Sequence, residues 1–173
     1  MSSLLLLLSL AVAASPQYNV GRLATPEEIA AADVSVLPTG LGLPAGQGSA
    51  RDGTDVYVSR CAACHGVDGE GRAGYPPLAG GRGSIASATP LLTVGSYWPY
   101  ATTVFDYIRR AMPYEAPGSL TPDEVYALTA WILAANGIIE EAAVLDKHTL
   151  PLVQMPNRDG FTSDPRPDVG RKR

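Results

Sequence analysis

The run Cys61-Ala62-Ala63-Cys64-His65 constrains this chain more than any other feature. It contains both cysteines of the chain and one of its two histidines. Two thiols three positions apart staple almost nothing, because a disulfide stabilises mainly by closing a long loop in the unfolded chain. A secreted disulfide scaffold carries more cysteines, widely spread. A thioredoxin-type redox pair needs an α/β sheet around it, and no strand pattern flanks this run. A zinc site needs further Cys or His ligands, and the other histidine, His148, lies far along the chain in a segment without helical pattern.

Cys-x-x-Cys-His is also the attachment signature of c-type haem. Two thiols about one helical turn apart can each add to one vinyl group on a porphyrin edge. The next residue then sets its imidazole under the iron. One such motif predicts one covalently attached haem c, anchored by Cys61 and Cys64, with His65 as an axial ligand. Residues 66–101 are rich in Gly and Pro and carry no periodicity. A loop that long is unusual in a compact domain unless something fills the interior beneath it, as a haem does.

Helical patterns surround this core. Gly53, Val56, Tyr57 and Arg60 predict a helix over 52–63, capped by Asp52. Val104, Phe105, Ile108 and Ala111 predict a second over 102–111. Pro113 then turns Met112 away from helical geometry. Thr121-Pro122-Asp123-Glu124 is a capping box opening a third helix through Val125, Leu128, Trp131, Ile132 and Ala135, and Asn136-Gly137 stops it. The fold class expected is all-α, a few helices and long loops around one haem.

Iron needs a sixth ligand or an open site. Of Met1, Met112 and Met155, Met112 lies between the elements that must enclose the haem and is the preferred ligand. Met155, also followed by a proline, is the alternative, and a plain core role for Met112 stays open. His65 needs an acceptor for its Nδ1–H, and the Pro76 carbonyl is the candidate. Arg82, Tyr97, Trp98 and Tyr100 are candidate propionate donors. Pro76, Leu78, Tyr97, Trp98 and Met112 thus join Cys61, Cys64 and His65 in the expected haem-binding set. With His and Met on the iron no substrate reaches it, which predicts electron transfer and no catalysis on this chain alone. An open distal site would instead make a haem enzyme or ligand sensor.

Outside residues 51–137, the expected cytochrome domain, the pattern changes. Residues 1–14 read as a signal peptide with an apolar stretch too short to span a bilayer, implying a periplasmic protein without a membrane span. Residues 15–50 and 138–173 are dominated by turn formers and read as two arms, the first with a short helix begun by Thr25-Pro26-Glu27-Glu28. The net charge of -4 and pI of about 5.1 argue against nucleic acid or an anionic membrane as partner. Arg82, Arg109 and Arg110 are candidates for a local basic patch despite that total.

Taken in order, Gly53 and Tyr57, the Cys61–His65 motif, Pro76 and Leu78 in Tyr75-Pro76-Pro77-Leu78-Ala79-Gly80, Met112-Pro113 and a last helix with Trp131 resemble class I cytochrome c. The resemblance implies a first helix crossing the last at Gly53 near Trp131, axial ligation by His65 and Met112, and Pro76 as acceptor. More narrowly, Tyr18-Asn19-Val20-Gly21-Arg22, Gly95-Ser96-Tyr97-Trp98-Pro99-Tyr100, Asp106-Tyr107-Ile108-Arg109-Arg110-Ala111-Met112-Pro113 and Met155-Pro156-Asn157 are similar to the cytochrome subunit of sulfane dehydrogenase and sulfite dehydrogenase. That likeness implies electrons received from a molybdenum-containing catalytic subunit, arms that dock on it, and a downstream acceptor such as another cytochrome. Some relatives carry a second haem domain, so this chain would be the short, single-haem form. A free-standing soluble shuttle is the alternative.

Overall fold

The computed structural model describes residues 20–164 and 166, and the expected signal peptide lies outside them. Residues up to Asp33 group as one unit and residues from Val34 onward as another. In the first unit, α1 (Pro26–Ala32) starts as the sequence predicts. Thr25 and Glu28 form a reciprocal capping box, and Arg22 grips the Glu28 carboxylate at 2.7 and 2.5 Å. The α1 residues are exposed.

The second unit is built around one helix. After β1 (Gln47–Ser49), α2 (Ala50–Arg60) leads through Cys61 into the single turn α3 (Ala62–His65). A long loop then reaches α4 (Ala101–Ala111), followed by α5 (Pro122–Ala135) and β2 (Val144–Asp146). A short 3-10 helix, Leu150–Leu152, closes the described elements. Helix α5 is apolar nearly all round. It buries Val125, Tyr126, Leu128, Ala130, Ile132 and Leu133, which is the pattern of a helix surrounded by neighbours. Its ends match expectation: Thr121 and Glu124 cap the start. At the finish Gly137, at φ +62°, donates to Ala134 and Ile138 donates to Leu133, a Schellman arrangement.

Helix α2 crosses α5 at Gly53. A Cβ there would lie 2.3 Å from the Ala127 carbonyl oxygen and 3.1 Å from Trp131 Cβ, so only glycine permits this approach. One turn on, Tyr57 stacks on Trp131 with centroids 3.5 Å apart. Helix α4 packs Val104, Phe105 and Ile108 into the same core, with Phe105 against Tyr126 at 4.5 Å.

Two expectations are corrected. The first helix starts two residues earlier than its predicted Asp52 cap. Ser49 is the N-cap and Asp52 is the third helical residue, whose carboxylate reaches back to the Ser49 N–H at 2.8 Å. Asp52 is therefore the second half of a capping box. The segments read as arms, the first with one short helix, also contribute to the sheet and the core. Residues Gln47–Ser49 pair antiparallel with Val144–Asp146, and Val36, Leu145, Leu150 and Met155 are buried in the core.

Candidate functional site

The motif sits where α2 ends. Cys61 is the last cap of α2 and the first of α3, and both Cys64 and His65 donate backbone bonds to its carbonyl, at 3.1 and 2.9 Å. One turn thus carries both thiols and the imidazole. The thiols are not joined to each other. Burial, followed by the nearby Cys64, pushes the Cys61 thiol up to about 11. It lacks the lowered pKa that a thioredoxin-type nucleophile needs.

The next residues lock this turn in place. Gly71 donates to the His65 carbonyl at 2.7 Å, and the fully buried Tyr57 hydroxyl donates to the Gly66 carbonyl at 2.8 Å. Desolvation raises the Tyr57 pKa, so the phenol keeps its proton for that bond. The Glu70 carboxylate folds back over its own turn, accepting from the Asp68 N–H at 2.9 Å, and these backbone donors hold its pKa down. The Pro76 carbonyl lies 2.8 Å from His65 Nδ1. This pairing fixes the tautomer with the proton on Nδ1 and leaves Nε2 with a free lone pair.

The long loop is irregular but tied down at several points by hydrogen bonds. Asn136 at the end of α5 donates to the Leu78 carbonyl at 3.1 Å and accepts from the Gly80 N–H at 3.0 Å. The Thr93 hydroxyl donates to the Gly80 carbonyl at 2.6 Å, while Ser96 Oγ accepts from the Thr93 N–H at 2.9 Å. Leu78, Trp98 and Met112 are half-buried against the core, whereas Tyr75, Ile85, Leu91 and Leu92 expose apolar side chains.

Met112 caps α4 at its C-terminus, extended as Pro113 demands, with its N–H on the Ile108 carbonyl at 3.0 Å. Met155, the other candidate thioether, is 4% exposed within the core cluster. His148 is exposed in the turn after β2. Trp98 meets Tyr107 edge-on at 5.8 Å. Tyr97 meets Phe161 edge-on at 5.2 Å, and its carbonyl accepts from Asn157 at 2.7 Å. Arg158 lies 5.1 Å over the Tyr100 ring. The tail after Met155 therefore lies along residues 97–100. Arg82 donates to the carbonyls of Gly137 and Asn136, a cation at a helix C-terminus. Arg110 pairs with Asp106, which offsets half of the expected Arg109–Arg110 patch.

Sequence reasoning missed three features here. The Tyr57–Gly66 bond and the bridge from Asn136 to Leu78 and Gly80 depend on how the loop folds back. The buried carboxylate of Asp106 accepts from the Val36 N–H across 70 positions. No local signal announces such a partner.

The crystal structure of the sulfane dehydrogenase SoxCD from Paracoccus pantotrophus contains a chain 42% identical to this one, with a TM-score of 0.80. The match covers 90% of this chain and 76% of that one. A thiosulfate dehydrogenase of Allochromatium vinosum is 29% identical over 113 residues, 62% of this chain. That match takes in 34% of the relative, so this chain spans about a third of its length. The family model described as cytochrome c matches residues 50–136, from the first residue of α2 to the cap of α5. The chain belongs to the cytochrome c family, with the all-α class I fold, one covalently bound haem c and an electron-transfer role.

Proposed function

We propose that Cys61 and Cys64 hold the haem as two thioethers, that His65 Nε2 and Met112 Sδ are its axial ligands, and that the chain is the electron-accepting subunit of a periplasmic, molybdenum-containing sulfur dehydrogenase. The observation that carries the site is the 2.8 Å contact from His65 Nδ1 to the Pro76 carbonyl, directly after two unpaired thiols on the same turn. The donor set fits the group. Each thiol adds S–H across one vinyl bond without net oxidation, and a neutral imidazole with its outer N–H engaged is a strong, oriented ligand. Half-buried Leu78, Trp98 and Met112 and the exposed apolar loop residues are suited to cover a porphyrin.

When bound, the haem supplies a one-electron ferric/ferrous couple. The residues of this chain set its behaviour. Pro76 orients the His65 ring and raises its basicity. The Met112 thioether favours the ferrous state and raises the potential. With His65 and Met112 both holding the iron, no site would remain on it for a substrate, and the group would supply electron transfer alone.

The partner reading is supported by the 42% identity to a chain of a sulfane dehydrogenase, sustained over 90% of this sequence. In this reading the buried parts of residues 15–50 and 138–173 complete the cytochrome domain over 51–137, and their exposed parts dock on the catalytic subunit. Val20, Leu23 and Ile29 in the first segment, and Leu152 and Phe161 in the second, expose apolar surface for that contact. The sequence start, residues 1–14, then serves as the export signal.

The test is purification of the full chain from the periplasm with whatever accompanies it. The reading predicts stoichiometric molybdenum in the eluate and haem reduction on adding a sulfane or sulfite substrate. Recovery of a monomeric, molybdenum-free cytochrome that a separate dehydrogenase reduces only in passing would favour the free shuttle.

A further inference from the structure

We propose that residues 34–38 form a strap that fixes α4 along its axis, and that Asp106 is the positioning residue through which the strap holds Met112 on the haem. The inference rests on Met112 as axial ligand. The segment runs antiparallel to α4 with about one contact per turn. The Val34 carbonyl accepts from Arg109 Nη1 at 3.4 Å, the Val36 N–H donates to Asp106 Oδ1 at 3.0 Å, and the Pro38 carbonyl accepts from Thr102 Oγ1 at 3.5 Å. The central bond is the strongest: Val36 and Asp106 are each 8% exposed, and the acceptor is charged.

Asp106 serves α4 itself poorly. Aspartate disfavours helix interiors, and a carboxylate taken out of water needs partners. Here it has two, the Val36 N–H and the Arg110 guanidinium one turn on. Its place in the helix is explained by what it grips.

Met112 inherits its position from α4. It is the cap residue, tied by its own N–H to Ile108. Apolar packing of Val104, Phe105 and Ile108 selects the inward face of α4. That packing is non-directional, whereas the three hydrogen bonds to the antiparallel segment are directional and add their own constraint on the position of α4 along its axis. Losing the central one therefore loosens the methionine even where the fold survives.

The test uses the full-length ferric holoprotein and imidazole, which must displace the methionine to bind. The far-red methionine–iron charge-transfer band reports the same step. Asp106→Ala leaves the Val36 N–H and Arg110 without their acceptor. It should tighten imidazole binding about tenfold, the factor for one charge-assisted hydrogen bond. Asp106→Asn keeps an oxygen for the Val36 N–H and should stay within about threefold of the unaltered protein. Val36→Pro removes the donor and spares the Asp106–Arg110 pair. It should act like Asp106→Ala, and it decides the matter if that variant fails to load haem. Unchanged imidazole affinity with merely lowered unfolding stability would reduce Asp106 to a structural role and overturn the proposal. Met112→Ala is the reference: if the far-red band survives it, the ligand assignment fails, independently of the strap.

Discussion

Gly53→Ala tests the packing that positions the haem motif. On an isolated helix the change is favourable by about 0.8–1 kcal/mol, since alanine is the better helix former. In this fold the new methyl carbon would sit 2.3 Å from the Ala127 carbonyl oxygen and 2.7 Å from its carbon. Ordinary contact begins near 3.4 Å, so α2 and α5 must part by about 1 Å. Neither offending atom is the movable end of a side chain. Separation also strips contact from the Tyr57–Trp131 stack, now at 3.5 Å. Overpacking of this kind costs about 1–3 kcal/mol, and a backbone clash belongs at the upper end. Net of the helix gain, the loss is about 2 kcal/mol. For a chain of this length that lowers Tm by about 4–8 °C. Urea unfolding of the holoprotein, followed by circular dichroism and haem absorbance, reads it directly. A neutral or stabilised Gly53→Ala would refute the reasoning, because helix propensity would then outweigh the crossing.

Three further outcomes follow from the same structure. Tyr57→Phe keeps the stack on Trp131 but leaves the Gly66 carbonyl without its donor; unfolding in urea should show a loss of about 1–2 kcal/mol. Ser49→Ala removes the true cap of α2 and should cost about 1 kcal/mol by the same assay, an effect absent if Asp52 were the cap. The Ser49 hydroxyl and N–H hold the Asp52 carboxyl below its ordinary value. A depressed folded pKa stabilises above the unfolded value and loses that effect as pH falls through the folded one. The advantage of the unaltered protein over Asp52→Asn should therefore be full at neutral pH and shrink below about pH 4, and an advantage that grew in acid would contradict it.

The haem motif and the helices that carry it were legible because their signals are local. Cys61 to His65 fall within one turn, and Thr121 with Glu124 or Asn136 with Gly137 mark helix ends within a few residues. Pro76 as the His65 acceptor followed from a chemical need combined with the resemblance, and the Gly53–Trp131 crossing from the resemblance alone. Ser49 and Asp52 are both residue types that can cap; the reciprocal bond between them, visible only in three dimensions, decides the order. The β1–β2 ribbon has three residues per strand, too few to show alternation, and its partners are far apart in sequence. Val36, Leu145, Leu150 and Met155 stand singly among turn formers, so no periodicity reveals their burial. Asp106 is a polar residue within α4 whose backbone partner Val36 lies 70 positions away, so no local signal marks its burial.

His65 and Met112 are the proposed protein ligands of the haem iron. Absorption spectra of the purified holoprotein, ferric and ferrous, with and without Met112→Ala, test this directly. Sharp low-spin c-type bands are expected in the reduced protein, with a weak far-red band in the oxidised one that Met112→Ala abolishes. A far-red band that persists in the variant would move the ligand to Met155, and a high-spin protein that binds carbon monoxide readily would replace the electron carrier with an open-site haem protein.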